Sequence, residues 1–438
     1  METAVKPATH GAADNELGQR SHGSALVIVT ILFFMWGLLT SLNDVLIPHL
    51  KAIYTLSYLQ AMLVQFCFFG AYFLVSIPAG ALIRRIGYQK GAVTGLLIAA
   101  AGCALFYPAS QSGYALFLFA FFVLASGITI LQVAANPYVT VLGPAATASS
   151  RLTLTQAFNS LGTAVGPFVG GMLILSVGAL AADQLAALPA AEQAAYKARE
   201  IATVQGPYLG LAAALAVLAL AFAAARLPKI VHAADDVGSD NGNPDGRGGA
   251  LAHRHLLWGA LAIFLYVGGE VSIGSFLVNF LGDGSVAAMP AATAAKYVSL
   301  YWFGAMVGRF IGFAVMRTIS PGKTLAFNAC LAIALVLTAM FANGGVAMWA
   351  ILAVGLCNSI MFPTIFSMAL HGLGKYTGQG SGILCMAIVG GALVPFAQGL
   401  LADTIGLKIS FVVPALCYAF IVFFGLKYAN LHKTTIHP

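Results

Sequence analysis

Two carboxylates, Asp44 and Glu270, sit within apolar stretches of membrane-spanning length, where a charge is costly enough that its default reading is functional. Asp44 shares one helical face with Trp36 and Thr40 at intervals of four, and Asn43 precedes it. Glu270 is flanked by Gly268, Gly269 and Gly274. Glycines so dense in a helix cost stability, so they point to a local break or to the close approach of a neighbour. Carbonyl oxygens freed by a break, beside a carboxylate, are hard donors suited to Na⁺, while a desolvated carboxylate can instead take H⁺. Both acids also have a structural reading: Asp44 capping a helix end near Pro48, and Glu270 bonding between spans.

Neutral amides recur at the same depth. Gln132 and Asn136 stand at i and i+4 in the stretch 125–144, and Gln156, Asn159, Ser160 and Thr163 fall at i, i+3, i+4 and i+7. An amide both donates and accepts, as does every sugar hydroxyl, so such a face suits a neutral polyhydroxylated ligand. The rival is interhelical hydrogen bonding; for Asn136, which precedes Pro137, a further rival is satisfying a proline-broken helix. Asn43, Asn279 and Asn358 are further candidates. Asn279 falls on the face opposite Glu270 in a regular helix, so including it assumes the glycine break. Trp36, Tyr266, Phe276, Tyr301 and Trp302 could stack on a hexose, though packing and interface anchoring explain such residues equally well. Arg309, about two turns inside its span, could snorkel, bind carbonyl ends of neighbouring helices or serve an inner gate; no acidic partner is evident in the second half of the sequence.

The elements that must position these residues are membrane helices. The 438 residues are 60% hydrophobic and 8% charged, with a mean hydropathy of +0.90, values that exclude a water-soluble domain of this size. Twelve spans are predicted at 25–48, 60–83, 89–108, 114–140, 153–176, 207–226, 256–281, 295–316, 324–343, 346–370, 379–401 and 408–428. With both termini inside, fifteen Lys and Arg fall in inner loops and tails against five in outer loops, which sets a cytoplasmic orientation for the termini. No removed signal peptide is expected, since the polar segment to Ser24 leads into an apolar run without a small-residue cleavage site. The six cysteines lie in apolar runs without a CxxC pair and are expected to be buried free thiols. The nine histidines, in tails, loops and span ends, form no metal or catalytic cluster.

The domain reading is a cytoplasmic tail (1–24), a six-helix bundle (25–226), a flexible Gly/Asp/Asn-rich linker (227–255), a second bundle (256–428) and a cytoplasmic tail (429–438). The outer loop around 179–205 could form a short interfacial helix. The halves echo one another. At an offset of 228, Gly127 matches Gly355, Gly162 matches Gly390, Pro167 and Phe168 match Pro395 and Phe396, and Gly171 matches Gly399; near 234, Phe69, Gly70 and Ala71 match Phe303, Gly304 and Ala305. Duplication of a six-helix unit is the mark of a transporter that rocks two bundles about a central site. The fold class is thus an all-α membrane protein of twelve transmembrane helices in two pseudo-symmetric bundles.

The loop GALIRRIGYQKG (Gly80 to Gly91) resembles that of the major facilitator superfamily, with Gly80, Arg85, Gly87 and Lys90 keeping its pattern and Arg84 standing where an acid is usual. LNDVLIP (Leu42 to Pro48), AANPYVTVLGP (Ala134 to Pro144), QAFNSLG (Gln156 to Gly162) and FPTIFSMAL (Phe362 to Leu370) together are similar to the fucose–galactose–glucose:cation symporters of that superfamily. YVGGEVSIGSFLVNFLG (Tyr266 to Gly282) resembles the glucose/galactose branch. The resemblance implies a secondary active transporter importing glucose and/or galactose with Na⁺ or H⁺, and a coupling role for Asp44. In the fucose branch an acid stands at the position of Gln132; here that position is neutral and an acid appears at Glu270.

The expected cation-coupling residues are therefore Asp44 and Glu270. The expected substrate residues are Asn43, Gln132, Asn136, Gln156, Asn159, Glu270, Asn279 and Asn358. No metal is expected beyond Na⁺ at Asp44 or Glu270, and no cofactor. Expected partners are hexose, coupling cation and the lipid bilayer of an inner (plasma) membrane, without nucleic acid; a monomer is the working expectation. An enzyme is disfavoured because no span carries a catalytic cluster. The alternative is an uncoupled sugar facilitator, or an exporter of small amphipathic compounds on the same fold.

Overall fold

The computed structural model describes residues 25–40, 58–173, 188–225 and 249–430. Within them the chain is helical. The first half contains α1 (Ala25–Thr40), α2 (Tyr58–Ile86), α3 (Tyr88–Ser112), α4 (Tyr114–Val141), α5 (Ala148–Leu173) and α6 (Ala190–Ala224). The second half begins with α7 (Arg254–Gly282), α8 (Ala291–Val315) and α9 (Pro321–Phe341). Its last three spans are interrupted: α10 (Gly344–Asn358) with α11 (Met361–Leu370), α12 (Thr377–Met386) with α13 (Gly390–Ile405), and α14 (Leu407–Ser410) with α15 (Val412–Lys427). Ten segments of the described residues are long and apolar enough to cross a membrane; α1 and the 26-residue α5 complete the expected twelve.

Several details differ from the sequence reading. The short helix expected in the outer loop between spans five and six is the start of α6, which runs 35 residues from Ala190 into the sixth span, because its Ala-rich composition gives no reason to stop. The linker ends earlier than expected: Gly249–Ala252 is a 3₁₀ turn and α7 begins at Arg254. All six cysteines are free; four are buried and Cys67 is half-buried, but Cys330 is exposed on the outer face of α9, an apolar setting that in a membrane is lipid. Asn43, Asp44, the tails at 1–24 and 431–438, and most of the linker lie outside the described residues.

The sequence repeat has a physical counterpart. A Cβ at Gly162 would collide with the Phe34 carbonyl of α1, and a Cβ at its repeat partner Gly390 would collide with the Phe264 carbonyl of α7. Each half therefore docks its fifth span on its first through backbone contact that only glycine permits. In the first bundle α3 packs on α4 and α6, and α2 on α4; in the second α9 packs on α10 and α15, and α7 on α13 and α15. The bundles meet where α2 contacts α12 and where α5 contacts α8 and α11.

Those meetings lie toward the end of the molecule where α1 begins and α15 ends, called here the terminus end. Ser149 and Ser367 hydroxyls lie 2.6 Å apart, Ser150 Oγ donates to the Phe313 carbonyl at 2.8 Å, and a Cβ at Gly80 would press on the Gly378 carbonyl at 2.8 Å. Proline shapes one of these contacts. Pro137 lacks the N–H that would bond the carbonyl of Val133 four residues earlier. α4 nevertheless runs through Pro137, and Ser381 Oγ, from the other bundle, donates to the Val133 carbonyl at 2.9 Å. The freed acceptor is thus satisfied by a serine of the opposite bundle and not by Asn136.

Candidate functional site

The tenth span breaks at Ser359 and Ile360, between α10 and α11. Pro363, third in α11, cannot bond the carbonyl of Ser359, and Asn358 is the last residue of α10, where carbonyls lose their helical donors. Non-helical backbone at membrane depth survives only where protein or water satisfies it. Both carbonyls find protein donors: Tyr266 Oη lies 3.0 Å from the Asn358 oxygen, and Arg309 Nε donates to the Ser359 oxygen at 3.1 Å.

Glu270 belongs to the same network. Tyr266, one turn earlier on α7, places its hydroxyl 2.8 Å from Glu270 Oε1. Its single proton therefore faces two acceptors, the carboxylate and the carbonyl at the break. Asn358 Nδ2 donates to Tyr301 Oη at 2.6 Å, and the Tyr301 hydroxyl lies 3.5 Å from the Glu270 carbonyl. The glycines before Glu270 provide close approach and not a break: α7 is one continuous helix, and a Cβ at Gly268 would collide with Val394 of α13. This corrects the premise on which Asn279 was included. Nine residues beyond Glu270 in an unbroken helix, it faces the opposite way and is exposed.

Arg309 carries the network across the bundle interface. Its Nη1 donates to Ser160 Oγ and lies 3.4 Å from the Gln156 carbonyl, both on α5. The reading that it binds carbonyls of neighbouring helices holds. Tyr266 and Tyr301 were marked for their rings, whereas their hydroxyls do the connecting.

The remaining amides divide into two groups. Asn159 donates to the Phe33 carbonyl at 2.9 Å, so its nitrogen ties α5 to α1 as the interhelical reading has it. By contrast Gln132 Oε1, both amide atoms of Asn136, Gln156 Nε2 and Asn358 Oδ1 are buried without a hydrogen-bond partner among the described residues. Each such atom costs about 1–3 kcal/mol, and unmet buried polar atoms in a native fold call for water or a polar ligand. Gln132 is 3% exposed and Gln156 5%.

Comparison with known proteins matches this architecture. The Major Facilitator Superfamily profile covers residues 29–388. The chain is 58% identical over 427 residues to a glucose/galactose transporter of Brucella abortus, covering 97% of this chain and 99% of the relative. It is 35% identical to the L-fucose-proton symporter of Escherichia coli, covering 97% of each. A crystal structure of the transporter FucP in the outward conformation superposes with a TM-score of 0.85 at 35% identity, covering 93% of this chain and 99% of that one. With the family profile spanning most of the chain and close relatives aligned from end to end, this twelve-span protein belongs to the Major Facilitator Superfamily.

Proposed function

We propose that the chain imports an aldohexose, glucose or galactose, by symport with a cation, with the termini in the cytoplasm of a cell bounded by this inner membrane. The observation that carries the reading is the polar chain from Glu270 through Tyr266 and the Asn358–Ser359 break to Arg309 and α5. It links an intramembrane acid in one bundle to the amide-bearing helix of the other. The names of the full-length relatives support a hexose as cargo. The unpartnered atoms of Gln132, Asn136, Gln156 and Asn358 supply the hydrogen-bonding capacity a sugar needs.

The coupling follows from the one proton of Tyr266. When Glu270 is ionised, that proton goes to the carboxylate, the stronger acceptor. When a proton or Na⁺ neutralises Glu270, the hydroxyl turns to the Asn358 carbonyl and fixes the break beside the Asn358 amide. Cation binding thereby prepares the sugar site, and by linkage sugar strengthens cation binding by the same factor. Asp44 is proposed as a second cation group. With the termini inside, the inter-bundle hydrogen bonds of the described residues join the bundles in their cytoplasmic half, and transport requires them to part as the two bundles rock, with the cytoplasmic linker joining them.

A panel of sugars competed against labelled galactose for uptake into proteoliposomes tests the cargo. Glucose and galactose should compete in preference to fucose and to amphipathic cations. Equal competition by unrelated amphipathic compounds would sink the sugar assignment.

A further inference from the structure

A second polar feature lies on the outer surface of the second bundle, away from the transport path. Arg254 opens α7 and Lys427 closes α15, so both charges stand at the terminus-end edge of their spans. Together with Leu257, Trp258, Leu261 and Tyr428 they line a recess of about 510 Å³. Lys427 Nζ lies 5.0 Å from the Trp258 ring centre and 5.0 Å from that of Phe423. Neither basic group meets a carboxylate among the described residues. Leu257 and Leu261, one and two turns deeper, are 44% and 41% exposed.

The order from edge to interior is thus two cations, an indole, then an open apolar floor. We infer that this recess binds the headgroup of an anionic glycerophospholipid of the surrounding bilayer, its phosphate held between Arg254 and Lys427 and its acyl chain laid along Leu257 and Leu261. A free phosphate has no use for the floor, and a hydrocarbon chain alone has none for the cations. A zwitterionic lipid carries its own cation beside the phosphate, so a pair of basic side chains discriminates against it.

The test is native mass spectrometry of the intact, delipidated transporter offered phosphatidylglycerol and phosphatidylcholine in equal amounts. Wild type should retain phosphatidylglycerol in preference. Either Arg254→Gln or Lys427→Gln should weaken that retention about fivefold and the double variant roughly 30-fold, the effect of one and two basic residues at an anionic surface. Lys323→Gln, an exposed cation elsewhere on the terminus end, should change nothing. The single variants serve if the double variant does not fold. Undiminished phosphatidylglycerol retention in both single variants, equal retention of the two lipids by wild type, or displacement of the lipid by inorganic phosphate at millimolar concentration would each overturn the inference.

Discussion

Replacing Tyr266 by Phe removes one hydroxyl and leaves the ring packing in place, which isolates the step proposed to join cation to sugar. The hydroxyl sits 2.8 Å from Glu270 Oε1 and 3.0 Å from the Asn358 carbonyl. A hydrogen bond to a charged acceptor contributes about 1.5–3 kcal/mol and one to a neutral carbonyl about 1 kcal/mol. Their difference, about 0.5–2 kcal/mol, is the most that one switching proton can transmit. That corresponds to a cation-dependent gain in sugar affinity of about 2- to 30-fold in wild type. In Tyr266→Phe the gain should collapse to within about twofold, while the sugar still binds in the absence of cation. Calorimetric titration of galactose and glucose, with the cation absent and saturating, reads both quantities. A variant that folds, binds sugar and keeps the full wild-type gain would refute the route through Tyr266.

Other perturbations address the neighbouring parts of the network. Arg309→Lys keeps the charge but loses the fork that reaches Ser359, Gln156 and Ser160 together. One unmet buried carbonyl at about 2 kcal/mol shifts the balance of states by roughly 30-fold away from the one described; amide exchange at the terminus ends of α5 and α11 should rise, and unchanged exchange would contradict the bridging role. Gln156→Ala should weaken sugar binding by about tenfold or more, the scale of a lost buried hydrogen bond, whereas Asn279→Ala should leave it within about twofold; the reverse ranking in a binding titration would return Asn279 to the site. Outside the membrane, hydrogen bonds from the Ser285 hydroxyl and amide hold the Asp283 carboxyl below the usual carboxylate range. A depressed native value adds stability only above the ordinary carboxylate pKa and loses it as pH falls through the native one, so Asp283→Asn should leave the pH profile of transport between about pH 5 and 8 unchanged.

How much of this was legible in the sequence depends on the range of the interaction. Spans, their number and the duplication rest on local hydropathy and on glycines at constant spacing, and Gly162 and Gly390 do make the same contact in each half. The amides Gln132, Asn136, Gln156 and Asn358 were visible because polar atoms in apolar runs stand out. The interruption of the tenth span was not expected from the sequence, although Pro363 deprives Ser359 of a donor as Pro137 deprives Val133. In neither case could the sequence say who would satisfy the carbonyl, since Arg309 and Ser381 arrive from other spans. The glycines around Glu270 were equally ambiguous. Their meaning lies in Val394 on a helix more than a hundred residues away, and the premise on which Asn279 was included fails with it.

The central claim is that Glu270 makes sugar movement depend on a cation. Hexose accumulation in proteoliposomes, with a Na⁺ gradient, a pH gradient and a membrane potential imposed separately, tests it most directly. One net positive charge carried per sugar against 100 mV corresponds to about 2.3 kcal/mol, an accumulation of roughly 50-fold. Wild type should concentrate glucose or galactose under one of the two ion gradients, and Glu270→Gln should only equilibrate it across the membrane. Uptake by wild type that never exceeds equilibration under any gradient, or Glu270→Gln that concentrates sugar as wild type does, would contradict the account.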